Sequence, residues 1–257
     1  FTNLRPMAQN LGTSATTIEA WQKEQPTNYQ EAPENYLDAE SFKIKTPYYG
    51  YEHVDMVTSH GDRCGGHYQQ WFRKVAPDWQ ALHDPINELS HNYSCPQAYR
   101  TPIPEELYPT AYVRDRTIDY IRSQEDEDAP FFAFVSFPDP HHPFNPPGKY
   151  WDMYNPNDFD VSLPFDMHKN PTPPMRWLHR DWKAGEAQLT AQTAMMLSNQ
   201  HLKEAMALTA GMMSFVDDAV GDIMNALEQS GMMNDTVICY NSDHGDYLGD
   251  YNMLLKG

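Results

Sequence analysis

Two short apolar runs narrow the folds open to this chain: PFFAFVSF at residues 130–137 and DTVICYN at residues 235–241. Both are rich in aromatic and β-branched residues, the pattern of a strand buried on both faces in a parallel sheet. Between them lies HLKEAMALTAGMMSFVDDAVGDIMNALEQSG, in which Ala205, Leu208, Met212, Val216, Ala219, Ile223 and Leu227 step by three or four before Gly231 supplies a stop. Its methionines read as core packing. Strand, long loop, helix and strand in that order imply a right-handed parallel crossover, and so an α/β chain.

The loop after the first run, residues 138–175, holds most of the prolines and reads as extended or turning throughout. A second helix is expected within IPEELYPTAYVRDRTIDYIRSQ, on Ala111, Val113, Thr117, Ile118 and Ile121, with an acidic solvated loop behind it. YYGYEHVDMVTSHGD suggests a short strand around Val54, Met56 and Val57, and RCGGHYQQWFRKV starts a helix. Residues 1–50 read as irregular surface structure, with a short helix around SATTIEAWQKEQ.

In open α/β sheets ligands gather beyond the carboxyl ends of the strands. DPHHPF follows the first apolar run and SDHGD the second, so neighbouring strands would bring His141 or His142 near Asp243 and His244. Asp243 and His244 are adjacent and could share one ion only where the backbone leaves the strand, a turn that Gly245 permits. A carboxylate with an imidazole suits a divalent cation, but two ligands are too few and others must come from elsewhere. The competing reading is a capping Asp beside a solvent-facing His. Lys256 could meet an anionic oxygen as a compact charge, or be a surface lysine. A second His-Gly-Asp, at His60, Gly61 and Asp62 with His67 behind it, reads as a solvated turn in preference to a pocket wall or a metal site.

A formal net charge of −18 argues against nucleic acid or an anionic membrane surface as partner, and no apolar stretch is long enough to span a bilayer. The three cysteines form no C-x-x-C pair, and Cys239 reads as a buried strand residue. Neither G-x-S-x-G nor a phosphate-cradling glycine loop occurs.

Together, PHHPF, the long helix ending in Gly, and DTVICYNSDHGDYLGDYNMLLKG resemble the sulfatases of the alkaline phosphatase superfamily, which includes phosphonate monoester and phosphodiester hydrolases. PYYGYEHVDMVTSHGD with GGHYQQW is also similar to bacterial members. The resemblance implies an alkaline-phosphatase-like mixed, mostly parallel sheet flanked by helices. It further implies that residues 1–257 are part of a single sulfatase catalytic domain lacking its N-terminal nucleophile segment and its C-terminal part. The implied reaction is hydrolysis of a small anionic ester, a sulfated sugar or an aryl or alkyl sulfate, with one divalent cation, calcium before magnesium or manganese. Asp243 and His244 would match metal ligands, with His in the place many members fill with Asn. Lys256 would match the lysine on the substrate's anionic oxygens. His141, with His142 beside it, would match the histidine on the ester group. The sequence departs from the family in lacking the C/S-x-P-x-R block that carries the formylglycine nucleophile, and SCPQAYR at residues 94–100 puts Pro96 directly after Cys95. By itself the chain is expected to be inactive. The alternatives are a phosphonate monoester or phosphodiester hydrolase of the same fold and a non-catalytic metal- or carbohydrate-binding relative.

Overall fold

The computed structural model describes residues 29–38, 42–125, 129–190 and 194–256. The expected helix around SATTIEAWQKEQ lies outside them. Contacts group the chain into two compact units, Phe1–Ser59 with Cys64–Pro77, and His60–Arg63 with Asp78–Gly257.

In the first unit, β1 (Val57–Thr58) pairs antiparallel with β2 (Gly65–Gly66), Val57 opposite Gly66 and Thr58 opposite Gly65. Helix α1 (His67–Val75) follows at once. Gly66 has φ +76° and a Cβ there would run into the Met56 carbonyl, so only glycine lets this strand turn directly into a helix. The freed carbonyl of Met56 accepts the His67 backbone N–H at 2.7 Å, satisfying one of the donors every helix start leaves open. Tyr68 and Phe72, one turn apart, are fully buried, as is Tyr36 from the turn Pro33–Tyr36. The N-terminal stretch is therefore part of a core at Tyr36, contrary to the expectation of irregular surface.

The second unit is built on two helices. After the single turn α2 (Trp79–Leu82), α3 (Pro109–Ser123) packs against α5 (Asn199–Gln229), a helix of 31 residues. Proline opens α3 at a position whose N–H would be unpaired in any case. Ser198 Oγ accepts from the His201 backbone and caps the start of α5. At its end Gly231, with φ +74°, donates to Glu228 and Met232 donates to Leu227, the paired bonds of a Schellman stop. Of the seven predicted core positions, Ala205, Leu208, Met212, Val216, Ala219 and Leu227 are buried and Ile223 is half-buried. Ala205, Leu208 and Met212 join Phe144, Trp151, Leu197, Leu202, Leu254 and Leu255 in the main core. Glu204, buried on the same helix, accepts the Ser94 and Cys95 backbone N–H groups at 2.8 and 2.7 Å and ties that segment down.

The sheet departs from expectation. Among the described residues the only named strands are β1 and β2, so the mixed, mostly parallel sheet and its crossover are not formed there. PFFAFVSF and DTVICYN carry no strand; Phe132 is 76% exposed, Val237 91%, and Cys239 is exposed rather than buried. Apolar content reports what a segment can bury, whereas a ladder also needs neighbouring strands, and the described residues supply none beside these runs. The proline-rich loop ends earlier than predicted, because its last prolines lie in the first turn of α4 (Pro173–Ala184).

Gly211 lies where α5 crosses the turn at Tyr150, and a Cβ there would run into the Tyr150 carbonyl oxygen. Gly211→Ala should therefore destabilise the protein by about 1–3 kcal/mol in urea denaturation, against the gain of ~1 kcal/mol that alanine brings to an open helix site. A stabilised variant would mean that the helix and the turn are not in contact.

Candidate active site

Residues of the second unit only build the site. Tyr108, the N-cap residue of α3, is fully buried against Phe215 of α5, with ring centroids 6.0 Å apart. Its hydroxyl donates to Asn145 Oδ1 at 2.9 Å and lies 3.4 Å from Asp139 Oδ1. Thr110, in the first turn of α3, donates to Asp139 Oδ2 at 3.0 Å. The two ends of the loop Asp139–Asn145 are thus held by one helix start. Phe144 is buried and bonded through its backbone to Gln97 and Tyr99. His141 and His142 sit at the turn between.

His60–Gly61–Asp62 comes to the same loop. Asp62 is 1% exposed and accepts from Thr101 Oγ1 at 3.0 Å, so the expectation of a solvated turn is corrected. Gly61 has φ +57°, and a Cβ there would lie 2.9 Å from Asn145 Oδ1 and 3.2 Å from Pro143 Cγ. The bare backbone of glycine is what lets this turn lie flush on the loop. His60 and His141 then stack at 3.5 Å between centroids with planes 11° apart, and His141 and His142 are 4.1 Å apart. His67 belongs to the first unit, where its Nδ1 accepts the Met56 backbone N–H.

The third part is residues 242–256. Leu254 and its neighbours Met253 and Leu255 are buried, and Tyr247, Gly249 and Leu254 bond through their backbones to Leu255, Met253 and Met195. Leu248, Tyr251, Asn252 and Leu255 all have positive φ, between 39° and 69°. Such backbone is costly for residues other than glycine and persists only where packing enforces it, commonly beside functional groups. Lys256 follows directly. Asp243 and His244 lie on a preceding, exposed turn, with His244 Nε2 3.4 Å from Asp243 Oδ2 and Nδ1 donating to the Gly245 carbonyl at 2.9 Å. An imidazole bonded in this way through Nδ1 turns its Nε2 outward, the atom it could offer to a metal. As a donor set, then, Asp243 and His244 fit a divalent cation in part: both are suitable, but among the described residues no third His, Cys, Asp or Glu joins them.

These pieces act on one another electrostatically. Burial lowers His60 to about 4, and His141, Lys256 and His142 push in the same direction while Asp243 opposes. His142 is likewise lowered to about 4 by burial, then by His141 and Lys256. His141 is lowered by burial, with Lys256 and His244 adding to it and Asp246 opposing. All three rings are therefore neutral at neutral pH. The Nδ1 of His141 must donate to the His142 carbonyl, 2.6 Å away, so its Nε2 is a proton acceptor. Burial also raises Asp246 and Asp62, and raises Asp139 to about 7.

The structure thus brings His142, Asp243, His244 and Lys256 within electrostatic reach of His60 or His141, although the strands expected to align them are absent among the described residues. It adds His60 and Asp246, and beneath them Asp62, Asp139, Asn145 and Tyr108. Only the repeated His-Gly-Asp tripeptide signalled any of these in the sequence. Cys95 is buried and its thiol is pushed up to about 11, so it is no nucleophile.

Asp139 sets a pH dependence of stability. Its folded pKa lies above the unfolded value of 3.8, so its contribution is full below about 4 and is lost as pH rises through about 7. His60 and His142 act oppositely, destabilising as pH falls from 6.5 toward about 4. In urea denaturation at a series of pH values, Asp139→Asn should gain on the wild type from pH ~4 to ~7 and hold that difference above. A difference independent of pH would contradict a buried, raised Asp139.

The sulfatase family profile matches residues 9–257. An arylsulfatase of Clostridium perfringens is 30% identical over 190 residues, which is 74% of this chain and 36% of that protein. An ulvan-active sulfatase of Formosa agariphila is 27% identical over 220 residues, 82% of this chain and 35% of that protein. The chain thus spans about a third of the length of these curated relatives. Among solved structures, the phosphonate monoester hydrolase of Agrobacterium radiobacter superposes with a TM-score of 0.61 at 24% identity, covering 86% of this chain and 45% of that one. This likeness gives the chain an alkaline-phosphatase-like fold. The match along nearly its whole length means that the chain belongs to the sulfatase family.

Proposed function

We propose that this chain supplies the ester-binding half of a metal-dependent sulfatase, acting on a small anionic ester such as a sulfated sugar or an aryl or alkyl sulfate, within a single catalytic domain. The observation that carries this reading is the electrostatic coupling of Lys256 to His60, His141 and His142, an ammonium acting on three stacked rings whose protonation burial disfavours, with Asp243 and Asp246 acting on the same rings. A cation placed where charge develops is worth most in a pocket shielded from water. Family membership and the sulfatase names of its relatives support sulfate as the ester.

In this mechanism the Lys256 ammonium draws in the ester's anionic oxygens and neutralises the charge that grows on them. His142 lines the same pocket. His141, with its Nε2 lone pair free, would take the proton of an attacking hydroxyl supplied from outside this sequence as that oxygen bonds to sulfur, and would give it to the departing oxygen as the old S–O bond breaks. Asp243 and His244 would hold a divalent cation, calcium before magnesium or manganese, with the remaining ligands from elsewhere in the protein. When bound, it would act as Lewis acid on an ester oxygen. The parallel sheet anticipated from PFFAFVSF and DTVICYN would be the scaffold that carries these loops. The C/S-x-P-x-R block is absent from this sequence, so turnover is a property of the complete protein. His244 beside Asp243 also suits a phosphonate monoester or phosphodiester hydrolase of the same fold.

In the complete protein, Lys256→Ala should lower kcat/KM on an aryl sulfate by about 10²–10³ with metal content unchanged. Full activity would return Lys256 to the protein surface. Asp243→Ala should abolish metal retention in elemental analysis, and an unchanged content would refute the ligand assignment. A rate on phosphodiesters exceeding that on sulfate esters would replace sulfate with phosphate as the substrate class.

A further inference from the structure

The ring plane of a histidine is weakly set by its own final torsion, which is broad and roughly two-fold. What fixes the plane is the Nδ1–H bond to the His142 carbonyl together with whatever covers the ring faces and holds that bond in line. For His141 the covering groups are the rings of His60, parallel to it at 3.5 Å and 11°, and His142, at 4.1 Å and 25°. The first distance is van der Waals contact and leaves no room for the ring to swing.

We propose that His60 is a positioning residue for His141, a fixed neutral ring that holds the His141 imidazole in the plane in which Nε2 meets the ester. The inference rests on the reading of His141 as the ester-contacting histidine. Its structural basis is independent of that reading. Gly61 packs flush on Pro143 and Asn145, and Asp62 is buried on Thr101, so the backbone carrying His60 is fixed against the same loop that carries His141. His60 Nδ1 is buried and meets no hydrogen-bond partner among the described residues. The ring therefore makes no structural bond through that atom, and what it offers to His141 is a face. With the rings in contact and Lys256 acting on both, a second proton in the stack is disfavoured by like-charge repulsion. His60 consequently remains a neutral wall while His141 takes up and releases a proton.

The test uses the complete protein labelled at histidine nitrogen, with His60→Phe and His60→Ala beside the wild type. Long-range nitrogen–proton correlations at neutral pH should show wild-type His141 as a single Nδ1–H tautomer. His60→Phe, which keeps a flat ring, should retain it. His60→Ala should give signals averaged between tautomers. On an aryl sulfate, His60→Ala should lose at least tenfold in kcat with KM within about threefold, and His60→Phe should recover to within threefold of wild type. Tautomer averaging in the wild type, or a fixed tautomer in His60→Ala, overturns the proposal. A loss in His60→Phe equal to that in His60→Ala also overturns it, since a nitrogen of His60 would then itself contact the ester. If aryl sulfate is not the substrate, the tautomer measurement still decides the positioning role while the functional reading fails separately.

Discussion

A single buried phenol holds this site in place. Tyr108 stands at the start of α3, packed on α5, and its hydroxyl reaches both ends of the loop that carries His141 and His142. Because a buried polar group left unpaired costs more than its hydrogen bond gains, Asp139, Asn145, Thr110 and Tyr108 constrain one another. The rigidity of the α3–α5 pair is passed through this network to the imidazoles. On its far side, Gly61 and Asp62 clamp the His60 turn to the same loop.

Electrostatics follows from that packing. Partial burial disfavours a proton on three imidazoles beside Lys256, so its ammonium stands among uncharged rings, with the carboxylates of Asp243 and Asp246 also within electrostatic reach. In a chain of net charge −18 the ammonium of Lys256 is the cation these rings meet, and the charges more than a Debye length away are screened from it. The strained backbone from Leu248 to Leu255, anchored by buried Leu254, fixes where that ammonium emerges.

Helical periodicity was legible: the α5 core positions and the glycine stop at Gly231 follow from spacing alone, because a helix satisfies its own backbone and needs only one covered face. The apolar runs at 130–137 and 235–241 pair with no neighbour among the described residues, since a strand's backbone bonds come from other segments that its own residues do not specify. The late prolines point to loop by composition yet Pro173 and Pro174 begin α4, where a missing N–H costs nothing. In the site, His141, His142, Asp243, His244 and Lys256 were visible as residue types at suggestive spacings. The support beneath them was not, because Tyr108, Asp139 and Asn145 are ordinary residues whose partners lie far along the chain. The SHGD turn at residues 59–62 was read as solvated, since its burial depends on contacts to Thr101, Pro143 and Asn145 that only the folded chain reveals.

The central claim is that Lys256 and the histidine stack form one anion pocket beside a metal held by Asp243 and His244. The most direct test is a crystal structure of the complete protein with calcium and inorganic sulfate. The account predicts a cation liganded by an Asp243 carboxylate oxygen and His244 Nε2, with sulfate oxygens within hydrogen-bonding distance of Lys256 Nζ and His141 Nε2. A sulfate bound elsewhere with Lys256 in solvent, or a cation that leaves Asp243 and His244 unliganded, would contradict it.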